Sequence, residues 1–221
     1  LLSAVRSDTA MVFVANPGNP TGTRLSKSEL MRLRSGLDSN VLLVIDEAYG
    51  EFADPGSESC WDMVDTANCV VLRTFSKAYG MAGFRIGWGL FPVPIASEVR
   101  KVMNPNNVTL ASQSAALVAV HDQNYMRETC RLTAHLRDAA LAELSHAGFD
   151  VIPSATNFLL IRFASPALAS SADAALRAKG VFLRAQGGAG LPHALRMTIG
   201  PAPATQAALS YLQQWKTERA G

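Results

Sequence analysis

The sequence predicts an α/β fold in which part of a doubly wound, mainly parallel sheet is followed by a smaller α+β domain. Three observations carry this. Short apolar runs of about five residues recur in the first part of the chain, each ending at polar or turn residues. Helical periodicity separates the first two runs. Past Gly148 the texture changes to short strands interleaved with Ala-rich helical segments.

The strands come first. Met11–Ala15, Val41–Ile45, Cys69–Leu72 and the shorter Ile86–Leu90 are apolar on both faces, as buried strands of a parallel sheet are. Between the first two, Ser26 and Glu29 stand at capping-box spacing, and Leu30, Leu33 and Leu37 share one helical face. Strand, helix and strand at this spacing form a βαβ unit. From Ala111 to Ala147 no proline interrupts the chain, and Gly148 stands where a C-cap would. One long helix is expected there, or two with a break near Asp122-Gln123-Asn124. Beyond it, Phe149–Ile152, Phe158–Phe163, Val181–Leu183 and Leu195–Ile199 read as strands. Helices are expected around Ser171–Lys179 and Ala204–Lys216. The domains are therefore 1–110, a large α/β domain; 111–147, a connecting long helix; and 148–221, a small C-terminal domain.

Composition narrows the function. Of 221 residues, 48% are hydrophobic and 17% charged, against about 25% charged in ordinary globular chains. Such a chain has the means to bury a core and is not disordered. A net charge of +2 without a Lys/Arg cluster gives no footprint for nucleic acid, and no apolar run approaches the roughly 18 residues of a membrane span. Three cysteines without CxxC spacing point to a reduced, cytoplasmic compartment. The four histidines are scattered, so no metal site is expected. The chain begins without Met and reads as a portion of a longer protein.

Ligands of open α/β sheets bind beyond the carboxyl ends of the strands, and three such ends are unusual here. Asn16-Pro17-Gly18-Asn19-Pro20-Thr21-Gly22 is rich in residues that set backbone angles, as a plain turn or a site loop would be. Asp46-Glu47-Ala48-Tyr49 puts a carboxylate at the end of an apolar run. Asp46 is either a helix N-cap or the partner of a cation. Arg73-Thr74-Phe75-Ser76-Lys77, continuing to Arg85, combines hydroxyls, a lysine, an arginine and glycines. Hydroxyls, arginine and close backbone hold phosphate. A lysine flanked by Phe75, Tyr79 and Met81 is placed for the partial desolvation that favours Schiff-base chemistry.

These three motifs, in this order, resemble the fold-type I pyridoxal-phosphate aminotransferases, within them the class-II group around histidinol-phosphate aminotransferase. The resemblance runs from the first strand to the C-terminus and implies the site. Lys77 would hold pyridoxal 5'-phosphate covalently and shuttle the proton. Asp46 would pair with the pyridine nitrogen. Asn19 and Tyr49 would bond the ring's phenolic oxygen, and Thr74, Ser76 and Arg85 would hold the phosphate. Arg196, in Leu195–Gly200, would bind the substrate carboxylate, with Asn157 and Arg184 as further substrate contacts. The implied activity is amino transfer between an amino acid and a 2-oxo acid, with histidinol phosphate and 2-oxoglutarate as the leading pair in a homodimer. Aromatic amino-acid transamination, phosphothreonine decarboxylation and a non-enzymatic truncated module are the alternatives. The family's longer N-terminal portion, with its Gly-rich phosphate turn and ring-stacking aromatic, has no counterpart in these residues, so unpaired strand edges are expected.

Overall fold

The computed structural model describes residues 1–53, 59–66 and 68–219. The chain divides into two compact units. One comprises Leu1–Gly18 and Arg24–Thr129, the other Asn19–Thr23 and Cys130–Gly221.

In the first unit, β1 (Met11–Ala15), β2 (Leu42–Asp46), β3 (Cys69–Thr74) and β4 (Gly87–Leu90) form a sheet in that order. The first three strands are parallel, with Ala15 beside Asp46 and Asp46 beside Leu72, so their carboxyl ends share one edge. Helix α1 (Lys27–Ser35) starts at a complete capping box. Glu29 N–H donates to Ser26 Oγ, and Ser26 N–H donates back to the Glu29 carboxylate. Leu30, Leu33 and Leu37 then pack against Val14, Leu43, Ile45 and Val71, an apolar burial that drives the helix onto the sheet. Short α2 (Met63–Thr66) lies ahead of β3, and α3 (Val93–Val102) and α4 (Leu110–His121) follow β4.

Strand β4 departs from the parallel expectation. It runs antiparallel to β3, with Thr74 opposite Gly87 and Leu72 opposite Gly89. The connection carries only a 3₁₀ turn at Ala82–Phe84 and no crossover helix, and a parallel return needs such a crossover. The opposite edge belongs to β1, where Phe13 is 68% exposed.

The helical middle breaks at Asp122. Its ψ of 64° ends α4, and its carboxylate accepts the Tyr125 N–H at 3.0 Å to start α5 (Gln123–His146). Helix α5 begins in the first unit and ends in the second. Its close is a Schellman motif: Gly148 at φ +77° donates to Ser145, and Phe149 N–H donates to Leu144.

The second unit holds an antiparallel sheet ordered β5 (Asp150–Ile152), β6 (Phe158–Arg162), β8 (Leu191–Thr198), β7 (Arg184–Gln186). Leu159, Ile161, Leu195 and Met197 point from it into a core shared with α5, α6 (Pro166–Ala178) and α7 (Ala202–Glu218). The strand expected at Val181–Leu183 is absent, and β7 begins only at Arg184. Those apolar residues instead finish α6: Gly180 takes φ +75°, Val181 N–H donates to Leu176, and Leu183 is buried in the core.

Cys60 and Cys69 are free thiols and are buried. Burial, followed by the charge of Glu47, pushes the Cys60 thiol up to about 12. Burial likewise pushes Cys69 up to about 11. Among the described residues no helix is long and apolar enough to cross a membrane, and no cluster of His, Cys, Asp or Glu has metal-holding geometry.

Candidate active site

Six of the expected site residues gather at the carboxyl edge of the first sheet, because β2 and β3 are adjacent, parallel and in register. Asp46 is the last residue of β2, and its Oδ1 accepts the Ala48 N–H at 2.9 Å. A tight turn follows, closed by Gly50 N–H on the Glu47 carbonyl, and Tyr49 is buried within it. The Lys77 Nζ lies 5.2 Å from the centroid of the Tyr49 ring.

The Lys77 segment is held by its apolar neighbours. Phe75 and Met81 are buried against Ala116 of α4, with Tyr79 and Ile86 packed alongside. Backbone bonds from Phe75 to Ile86 and from Met81 back to Phe75 close the loop. Ser112 of α4 donates to the Phe84 carbonyl at 2.7 Å. The alternation of aromatic and polar residues thus works as anchor and display: Phe75, Ala78 and Met81 go in, leaving Ser76 and Lys77 partly accessible.

Next to the lysine, Thr74 Oγ1 accepts the Ser76 N–H at 3.0 Å. Arg85, in left-handed conformation at φ +52°, donates to Ala82 at 2.8 Å and to Ser76 Oγ at 3.4 Å. Two hydroxyls and an exposed guanidinium beside a lysine form a donor set suited to a phosphate ester. A carboxylate at the same sheet edge suits a protonated ring nitrogen. The chemistry of these side chains fits pyridoxal phosphate.

In the second unit Arg196 Nη1 donates to Asn19 Oδ1 at 2.7 Å. Its guanidinium lies 4.7 Å over the Phe158 ring, and its Nε is buried without an acceptor. Strand alternation sends Leu195 and Met197 to the core and Arg196 to the other face. Arg184 pairs directly opposite Arg196, and like charges so placed repel unless an anion lies near. Asn157 immediately precedes β6, and its carbonyl accepts the Ile199 N–H. The Asn19–Thr23 loop belongs to this unit through Gly22. Its carbonyl accepts the Ala155 N–H, and at φ +74° a Cβ there would meet Ser154.

The family of class I and II aminotransferases matches residues 1–212. The chain belongs to that family. Among curated aminotransferase relatives, histidinol-phosphate aminotransferase of Zymomonas mobilis is 43% identical over 208 residues, which is 90% of this chain and 56% of that protein. The enzyme of the same name from Paramagnetospirillum magneticum is 41% identical over 97% of this chain and 60% of its own. A crystal structure of histidinol-phosphate aminotransferase from Sinorhizobium meliloti, in complex with pyridoxal-5'-phosphate, superposes with a TM-score of 0.87 at 29% identity. It covers 95% of this chain and 58% of that one. The chain thus spans about three-fifths of the length of the aminotransferases it matches.

Sequence reasoning placed the cost of a buried carboxylate on Asp46. The structure puts it one residue later. Asp46 is exposed, whereas Glu47 is buried and paired with Arg73 at 2.7 Å. Glu51 shares the same guanidinium at 2.9 Å. Burial pushes the Glu51 carboxyl up, and Arg73 pulls it back. Asn16, which the sequence offered only as part of a loop motif, is buried and clamps Leu25 by two bonds. Polar residues flanking apolar strand ends were the available signal for both.

Proposed function

We propose that the protein carrying this chain is a pyridoxal-phosphate-dependent aminotransferase acting on histidinol phosphate with 2-oxoglutarate. The observation that carries this reading is Lys77 set between Ser76 and Arg85, at the same sheet edge as Asp46. The 38–43% identity to several histidinol-phosphate aminotransferases supports the substrate. In this reading residues 1–110 belong to the cofactor domain, 111–147 connect, and 148–221 form the small domain.

The bound cofactor would supply an electron sink for the charge left when a Cα–H bond breaks. Lys77 Nζ would anchor it and, once released by the incoming amine, accept the Cα proton and return it. Asp46 would hold a proton on the ring nitrogen. Asn19 and Tyr49 would orient the phenolic oxygen, and Thr74, Ser76 and Arg85 would grip the phosphate. Arg196 would take the carboxylate of glutamate or 2-oxoglutarate bidentately, aided by Asn157 and Arg184, and histidinol phosphate, which has no carboxylate, would offer its phosphate to the same guanidinium. Amino transfer then proceeds in two halves, first from the donor and then to the 2-oxo acid. The intact protein is expected to work as a cytoplasmic homodimer, since two-fold dimers are the commonest assembly.

Borohydride reduction of the protein loaded with pyridoxal phosphate, followed by peptide mapping, tests the assignment. The label should fall on Lys77; on Lys27 or Lys101 it would refute the reading. Incubation with glutamate then separates the activities. A transaminase converts the cofactor to its amine form, with the matching change in absorbance. A phosphothreonine decarboxylase or a non-catalytic module leaves the spectrum unchanged.

A further inference from the structure

We infer that Arg73, with Glu47 and Glu51, is a positioning group that fixes the Tyr49 ring against Lys77. The inference rests on the reading of Lys77 and Tyr49 given above. Arg73 Nε donates to Glu47 Oε2 at 2.9 Å, its Nη2 lies 2.7 Å from the same oxygen, and its Nη1 lies 2.9 Å from Glu51 Oε1. All three side chains are at least nine-tenths buried. The two carboxylates stand two residues before and two residues after Tyr49, so one rigid, planar cation holds both shoulders of the turn that carries the ring.

The surroundings leave the guanidinium little freedom. Trp61 covers it at 5.5 Å, and Trp61 in turn meets Trp88 edge-on at 5.8 Å. Trp88 is the direct β4 partner of Arg73. From the other direction the backbone of Gly50 approaches so closely that a Cβ there would lie 2.6 Å from the guanidinium carbon. Ser59 Oγ donates to Glu47 Oε2 at 3.3 Å, and the Cys60 N–H reaches Oε1 at 3.5 Å. Glu51 Oε2 is left buried without a partner.

As a source of stability this arrangement is poor. Two carboxylates on one guanidinium leave a buried excess of negative charge, and an apolar replacement of similar volume is often as stable. As a clamp it is well made. Arg73 is also the residue before Thr74, so the same group ties the Tyr49 turn to the strand that leads into the Lys77 loop. Positional error in such a supporting contact costs function before it costs the fold.

The test is a double-substitution cycle in the intact protein loaded with pyridoxal phosphate: Glu51→Gln, Tyr49→Phe and both together. Glu51→Gln keeps the side-chain shape and the Glu47–Arg73 pair. Three quantities are read: the rate of cofactor loss, the pH midpoint of the cofactor's visible absorbance, and the melting temperature. Glu51→Gln alone should speed cofactor loss by about tenfold and shift the midpoint, and in the Tyr49→Phe background it should add less than about twofold. Arg73→Lys should match Glu51→Gln, because a point charge does not span both carboxylates. Additive effects, a changed melting temperature with an unmoved midpoint, or a wild-type Arg73→Lys would overturn the inference. Borohydride labelling of each variant separates the two ideas: absence of label on Lys77 in the wild type sinks the site itself, whereas label on Lys77 with additive effects sinks only the positioning role.

Discussion

Asp46 ends a buried strand, yet its carboxylate is exposed and accepts the Ala48 N–H. Replacing it with asparagine keeps an acceptor for that amide and removes only the charge. Asp46→Asn should therefore leave unfolding free energy within about 0.5 kcal/mol. Amino transfer in the intact protein should fall by at least about a hundredfold, the scale of losing one preorganised charge partner. Near-normal turnover would reduce Asp46 to a turn former. The residue type at this strand end was legible in the sequence, but its burial was not, because neighbouring residues on a strand face opposite sides. Glu47 took the buried side and needed Arg73, a partner 26 positions away that no local pattern could reveal. The thiols carry a second residue-level consequence. Cys60 and Cys69 are held protonated by burial, to about 12 and about 11. At pH 8 both should resist alkylation in the folded chain and react once it is unfolded. Because their folded values lie above the ordinary thiol value of 9.0, the folded state binds protons more tightly and stability should decline as pH rises above about 9. Rapid labelling under native conditions, or stability flat between pH 9 and 11, would contradict this.

Elements announced themselves where a cap or a break was written into the chain. Ser26 with Glu29 marked the start of α1, Asp122 marked the break between α4 and α5, and Gly148 marked the end of α5. Direction and pairing were less legible. The run at Ile86–Leu90 gave the strand but not its antiparallel sense, which the helix-free connection decides. Val181–Leu183 had strand composition but serves the end of α6, where Arg177 lies over the exposed Phe182 ring at 5.4 Å. The α5 cap offers a direct test. Gly148 sits at φ +77°, and a Cβ would come within 2.8 Å of Lys216 Nζ, which donates to the Ala147 and Gly148 carbonyls. Gly148→Ala should cost about 1 kcal/mol from backbone strain and a disturbed cap. That corresponds to about 2–4 °C in melting temperature for a chain of this size. An unchanged melt would show that Lys216 and the backbone relax without cost.

At the scale of the whole molecule, the first unit displays more apolar surface than a solitary chain carries comfortably. In α4, Ser112 and Ala116 face inward, while Leu110, Leu117 and Val118 are 79%, 62% and 72% exposed. Positions 110, 117 and 118 follow helical spacing, so they form an outward apolar stripe on a helix whose opposite face is already packed through Ala115, Ala116 and Ala119. Clustered exposed apolar side chains of this kind mark an interface. The homodimer proposed above would supply such a cover, with a second copy as the occupant. Sedimentation equilibrium of the intact protein should therefore show a dimer. Leu117→Glu combined with Val118→Lys should shift it toward monomer, weakening association by at least about a hundredfold, as loss of central apolar contacts does. Those positions point away from Phe75 and Met81, so the Lys77 loop should keep its packing and its borohydride label. A wild-type protein that sediments as an active monomer, or a double variant that dimerises as tightly as wild type, would place the dimer contact elsewhere or remove it.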